Sequence, residues 1–203
     1  MSGFLPLVTA PDGAGWIGRW SPGIGDPTPA GWLTTLAYFG GAWSCWAACR
    51  ALRPEYRVTP TLRREWRLWQ ALTALLAALG LNKQLDLQSA LTELGRLLAR
   101  SGGWYQERRG VQIVFIAAVA LAGAGAAALA LWTVRRTAPA VRVAVAGACA
   151  LVAFVVARAA SFHHVDTVIS RELLGLRLGS LVELAAIGVI FAATRWRAST
   201  LRR

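Results

Sequence analysis

The run VRVAVAGACALVAFVVARAASFHHVD, residues 141–166, decides how the whole chain is read. From Val141 to Ala157 only Arg142 interrupts a series of Ala, Val, Leu, Phe, Gly and Cys. Carried on to Val165 the run is about 25 residues, and ~20 apolar residues in a helix cross a hydrocarbon core of ~30 Å. The spacing predicts a transmembrane helix whose last turns carry Arg158, Ser161, His163, His164 and Asp166. Ionisable groups at that depth are costly and usually face a bundle interior or a watery cavity. Helical spacing puts His163 beside Asp166 and Ser161 beside His164. A histidine and a carboxylate on adjacent turns can share one metal, so His163, His164 and Asp166 are candidate ligands for a divalent zinc, copper or iron ion. The plainer alternative is that the two histidines mark the interface where the helix leaves the membrane.

Working outward, four more apolar segments fit the same description, giving expected spans at about 31–52, 66–87, 111–132, 141–165 and 174–196. Residues 1–29 precede them, rich in Pro and Gly and carrying Trp16 and Trp20. These Trp residues place that segment against the membrane surface rather than free in water. The fold class expected is an all-α integral membrane protein, a bundle of about five transmembrane helices in one domain over 30–203. Between the second and third spans, Leu87, Leu91, Leu94 and Leu98 repeat at helical spacing opposite Gln88, Thr92, Glu93, Arg96 and Arg100. This predicts an amphipathic helix at about 88–101 lying on the membrane surface; a continuation of the second span into water is the alternative.

Composition supports this class. Hydrophobic residues make up 56% of the 203 and charged residues only 16%, against ~45–50% apolar residues in soluble domains. Once the apolar runs are assigned, too little chain remains for a large soluble domain. The formal charge of +12 does not point to nucleic acid, because the arginines flank apolar runs and no recognition motif is present. They read as topology signals and contacts with anionic lipid headgroups. Three cysteines do not form a framework: Cys45 and Cys49 share a helix face, Cys149 lies elsewhere, no Cys-x-x-Cys occurs, and all three read as small packing groups. Met1–Thr9 lacks the basic start and long apolar core of a cleavable signal peptide.

Lys83 is the sole lysine among 22 basic residues. It lies in the polar run Asn82–Gln88 at the end of the second span, where continuous helix would align Asn82, Asp86 and Ser89 on one face and set Lys83 beside Asp86. An internal polar stripe is the preferred reading, an interfacial turn the alternative. Glu183 is expected ~13 Å inside the fifth span by helical rise. A carboxylate at that depth requires a partner, with Arg158 the natural candidate and Lys83 or a metal the others.

The connections after the first and third spans and the C-terminal tail carry many arginines and few acids, so this end is expected to be cytoplasmic and the N-terminus outside. The polar groups then gather toward the outer ends of their helices. From this convergence come the candidate acid–base and electrostatic residues Lys83, Asp86, Arg158, His164 and Glu183, and the candidate substrate contacts Asn82, Arg108 and Arg109. Arg108 and Arg109 belong to an aromatic and basic cluster that can equally anchor a span to headgroups.

Three functions compete. The first is an outward-facing ionisable site, with or without a metal, acting on a lipid-soluble or periplasmic substrate at a bacterial-type inner membrane. The second is an accessory subunit of a larger membrane complex, its polar residues serving as interhelical ties. The third, a transporter or proton pathway, lacks an inverted repeat or paired broken helices. Neither His-Glu-x-x-His nor Gly-x-Ser-x-Gly occurs, so no standard catalytic motif separates them.

Overall fold

A computed structural model describes residues 15–52, 59–103, 108–159, 172–173 and 176–201. Among them are six helices, α1 (Pro29–Ala51), α2 (Pro60–Leu85), α3 (Leu87–Ser101), α4 (Arg108–Val134), α5 (Pro139–Ala159) and α6 (Leu178–Leu201). Three of these contain segments long and apolar enough to cross a membrane: Ile113–Val134, Pro139–Arg158 and Leu178–Leu201.

Local chemistry explains the helix starts. Pro follows the N-cap of both α1 and α2, where its missing N–H is not needed. The caps themselves are Thr28, whose Oγ1 accepts from Gly31 N at 3.0 Å, and Thr59, which accepts from Leu62 N at 3.2 Å. Helix α2 begins six residues before the expected Trp66, because the Thr59 cap and Pro60 start the helix within the arginine-rich stretch. Its other end is set by Asp86, whose φ of 48° and ψ of 48° put it in the left-handed region. That turn corrects one expectation. Asn82, Asp86 and Ser89 do not share a continuous helix face, since the helix stops at Leu85 and restarts at Leu87. The amphipathic helix α3 is therefore separate from α2, and Leu87, Leu91 and Leu98 remain exposed along it.

Helix α6 begins at Leu178, four residues later than expected. Before it stand two two-residue strands, β1 (Glu172–Leu173) and β2 (Leu176–Arg177), paired antiparallel with Glu172 opposite Arg177. The apolar pattern gave no sign of this hairpin. The expected fourth span reached Val165; the described part of α5 ends at Ala159, and His163, His164 and Asp166 lie outside the described residues.

The core lies among α1, α2, α5 and α6. Tyr38, Cys45, Cys49, Trp69, Leu76, Ala144, Ala148, Leu151, Ile187 and Ile190 belong to one buried cluster. The cysteines are free, Cys45 and Cys49 being buried, as packing groups should be. Small residues let the backbones approach. A Cβ on Gly147 would lie 3.3 Å from Ile190 Cγ1, and one on Gly41 would lie 3.2 Å from both Ile187 Cγ2 and Leu76 Cδ1. Gly41→Leu overfills this three-helix contact and is expected to cost ~1–3 kcal/mol, seen as a lower melting temperature in detergent.

Helix α4 packs mainly on α5 and leaves most of its length exposed. Of Ile113–Val134 only the last residue, Val134, is buried. Phe115 is 66% exposed and Leu121 75%. The small-residue run Ala122–Ala126 allows a close helix contact, yet nothing lies within 4 Å of a Cβ placed on Gly123 or Gly125. Ile113, Val114, Leu129 and Trp132 are exposed along it as well.

Candidate functional site

Two buried carboxylates organise the two ends of the bundle. At one end is Glu183, 1% exposed and in the second turn of α6. Its later helix start puts it only ~7 Å from the helix terminus by rise per residue, half the expected depth. Three other helices reach it. Arg158 Nη1, from the last turn of α5, donates to Oε1 at 2.8 Å. Lys83 Nζ, from the last turn of α2, donates to the same oxygen at 3.4 Å. The Tyr38 hydroxyl of α1 donates to Oε2 at 3.1 Å. Lys83 also lies 3.9 Å from Asp26 Oδ2, in the segment preceding α1.

Asp26 is held by local geometry. The Thr28 hydroxyl donates to Asp26 Oδ1 at 2.6 Å, and Thr28 N approaches the same oxygen at 3.3 Å. Gly25 N donates to Gln84 O at 2.6 Å, fastening the N-terminal segment to the end of α2. Beside it, the one hydroxyl proton of Thr35 goes to Gly31 O at 2.9 Å. The Gln84 amide, 3.4 Å from the Thr35 oxygen, is therefore best satisfied by donating to it through Nε2, the otherwise unpartnered atom.

Partial burial pushes the Asp26 carboxyl up, but the Thr28 hydroxyl and amide, with the charges of Lys83 and Arg177, outweigh it and hold the group below its usual range. A carboxylate lowered on folding contributes stability that is present above its unfolded pKa of ~3.9 and lost as pH falls through the folded value. Wild type should thus melt above Asp26→Asn at pH 6, with the gap closing as the pH is taken below ~4. A gap independent of pH contradicts this role.

The structure thus brings Lys83, Arg158 and Glu183 together. Asp86 is not with them: no ion pair joins it to either cation, and the left-handed turn carries it toward Gly25, where a Cβ would meet Asp86 Cβ at 3.0 Å. Asn82 is half-buried near the end of α2 and its carbonyl accepts from Asp86 N at 3.0 Å. Arg108 and Arg109 start α4, but their side chains lie outside the described residues. Among the described residues no group of three or more His, Cys, Asp or Glu side chains gathers as a metal site would require.

Two participants were not anticipated, Tyr38 and Asp26. Tyr38 is the one phenol in the first span, which is its only signal in the sequence. Asp26 stands before Pro27 in a loop, and its signal is local: an acid two residues before a helix-capping Thr is a hydrogen-bonding pattern.

At the opposite end Glu65 is 2% exposed. Arg197 donates through Nε at 2.9 Å and Nη2 at 2.7 Å to Oε2, and Ala138 N donates to Oε1 at 3.0 Å. This tie joins the start of α2, the α4–α5 turn and the end of α6, three regions grouped on one side by their arginine content. Aromatic and basic pairs mark the same level. Arg50 lies over Trp46 at 4.7 Å and Arg135 over Trp132 at 4.6 Å, the arrangement expected where a helix meets headgroups.

No known family, characterised protein or solved structure matches the chain. Its function is therefore argued from its own geometry.

Proposed function

We propose that the chain is a five-span inner-membrane protein, N-terminus outside and C-terminus in the cytoplasm, whose Glu183 centre binds an acidic group of a lipid-soluble or periplasmic substrate. One observation carries the reading. A single buried carboxylate meets two cations, and one of them, Arg158, donates only Nη1 to it while its side chain remains 37% exposed. An arginine has five N–H donors in a fixed fork. Among the described residues its other donors have no partner, and they lie beside an ammonium whose two carboxylate contacts are long. Buried ion pairs are poor stabilisers compared with apolar packing, so a purely structural role gives little reason to place three charges there. Tyr38 and Glu183 add a proton donor and an acceptor on the inner side, the groups acid–base chemistry uses.

The ligand set proposed for a metal, His163, His164 and Asp166, begins five residues after Arg158, so a bound zinc, copper or iron would be tethered near this centre. Elemental analysis of wild type against His163→Ala/His164→Ala tests it. Stoichiometric metal lost in the variant supports a metal site, and its absence from wild type removes that part.

The anion site itself is tested by purification in lipid nanodiscs followed by extraction and mass spectrometry of small acids. Wild type should retain an acidic ligand. The uncharged variant Glu183→Leu/Lys83→Met/Arg158→Met should not, although it folds. Equal recovery from both, or none from wild type, contradicts the reading.

A second reading, an accessory subunit, is favoured by α4, in which no residue from Ile113 to Thr133 is buried. Stoichiometric co-purification of another membrane protein, lost on Gly123→Leu/Gly125→Leu, supports it.

A further inference from the structure

Away from Glu183, the bundle has a cleft of about 400 Å³ between the first turns of α2 and the end of α4, lined by Arg64, Arg67, Leu68, Trp132, Arg135 and Arg136 among others. We propose that this cleft binds the phosphate groups of an anionic phospholipid of the cytoplasmic leaflet. The proposal rests on membrane insertion in the orientation given above, but not on the Glu183 site.

The charge balance is the first argument. Four guanidinium groups line one small cleft, and among the described residues none has a carboxylate within ion-pair distance. The acid adjacent in sequence, Glu65, is turned inward, and both of its oxygens are already engaged by Arg197 and Ala138 N. Like charges gathered without an acid repel one another, and a multivalent anion relieves that repulsion. Arginine is also the cation best shaped for phosphate, which it can grip through two parallel N–H donors.

The second argument is the position and lining of the cleft. It lies at the level of the Glu65 tie, the end whose arginine content places it at the cytoplasm. Basic pockets between helices on that side suit anionic headgroups. Leu68 and Trp132 add apolar surface beside the arginines, and Arg135 is stacked on the Trp132 ring at 4.6 Å. The exposed aliphatic side of α4 continues from Trp132 toward the middle of the helix, through Leu131 and Leu129, 44% and 60% exposed. Phosphate at the rim and an acyl chain along α4 satisfy both surfaces. A soluble phosphate compound would use the first and leave the second uncovered.

Native mass spectrometry of the full chain in detergent, titrated with cardiolipin, phosphatidylglycerol, phosphatidylethanolamine or inorganic phosphate, tests this. Each cleft arginine in contact with a bound anionic headgroup is worth about a fivefold change in binding, and an arginine away from the cleft makes no such contact. The variant Arg64→Gln/Arg67→Gln/Arg135→Gln/Arg136→Gln should therefore lose more than a hundredfold in affinity for the two anionic lipids. An equal-charge control, Arg19→Gln/Arg50→Gln/Arg142→Gln/Arg195→Gln, should lose less than tenfold. Phosphatidylethanolamine should bind weakly to all three proteins. Should the quadruple variant fail to fold, Arg64→Gln/Arg67→Gln and Arg135→Gln/Arg136→Gln are each expected to weaken anionic lipid binding by more than tenfold. Equal losses in cleft and control variants overturn the proposal, as does inorganic phosphate binding as tightly as the lipids, which would assign the cleft to a soluble phosphate.

Discussion

Glu183→Ala is expected to destabilise the folded chain by ~3–5 kcal/mol, the cost of leaving buried cations without their partner. The two charges it strands, Lys83 and Arg158, come from different helices and approach the same oxygen. Removing the carboxylate turns an attraction between α2, α5 and α6 into a repulsion. Tyr38 also loses its acceptor in a buried site, a further cost of ~1–3 kcal/mol. Glu183→Gln should fall between wild type and Glu183→Ala, because its amide oxygen can still accept from Tyr38. Removing all three charges together, as Glu183→Leu/Lys83→Met/Arg158→Met, should return stability to within ~2 kcal/mol of wild type, since apolar replacement of a buried ion cluster is often close to neutral. Thermal melting in detergent, followed by tryptophan fluorescence, reads all of these. A Glu183→Ala protein as stable as wild type contradicts the packing described.

The second large effect is expected at the other end. Glu65→Ala removes three donated hydrogen bonds at once, two from Arg197 and one from Ala138 N. It leaves a guanidinium and a backbone N–H unsatisfied where Glu65 is 2% exposed. A loss of ~3–5 kcal/mol is expected. Arg197→Lys keeps the charge but not the two-pronged grip, so it should cost less, ~1.5–3 kcal/mol, the worth of a hydrogen bond to a charged group. The two carboxylates lie at opposite ends and share no partner. Glu65→Ala combined with Glu183→Ala should therefore lose the sum of the single effects to within ~0.5 kcal/mol. Melting curves of the single and double variants decide this, and strong non-additivity would mean that the two ends are coupled through the core.

The helices themselves were legible in the sequence because long apolar runs with capped, tryptophan-flanked starts leave few alternatives to helix. Helices form at all five apolar segments, three of them long and apolar enough to cross a membrane, and the amphipathic repeat of Leu87, Leu91, Leu94 and Leu98 marks a sixth. Boundaries were less legible. The start of α2 depends on one capping threonine, and its end on one residue in the left-handed region, Asp86, whose conformation no periodicity reveals. That single turn separates Lys83, which points into the bundle, from Asp86, which does not. The β1–β2 hairpin is too short to carry a pattern.

The charged partners of Glu183 could be anticipated from depth alone: a carboxylate inside an apolar helix requires a cation, and Arg158 and Lys83 stand at the same end of theirs. Tyr38 and Asp26 could not. A phenol in an apolar helix is ordinary, and Asp26 is placed by the fold of the N-terminal segment onto α2 rather than by a local repeat. Glu65 shows the same limit. It is surrounded in sequence by arginines at 63, 64 and 67, but its partner is Arg197, 132 residues away.

The orientation of the Glu183 end is tested most directly by cysteine accessibility. With Cys45, Cys49 and Cys149 replaced by Ala, Ser21→Cys would report on the Glu183 side and Ser199→Cys on the Glu65 side, both positions being exposed. In sealed right-side-out membrane vesicles, a membrane-impermeant maleimide is expected to label Ser21→Cys at once and Ser199→Cys only after permeabilisation. The reverse pattern would put the Glu183 centre in the cytoplasm and contradict an outward-facing site.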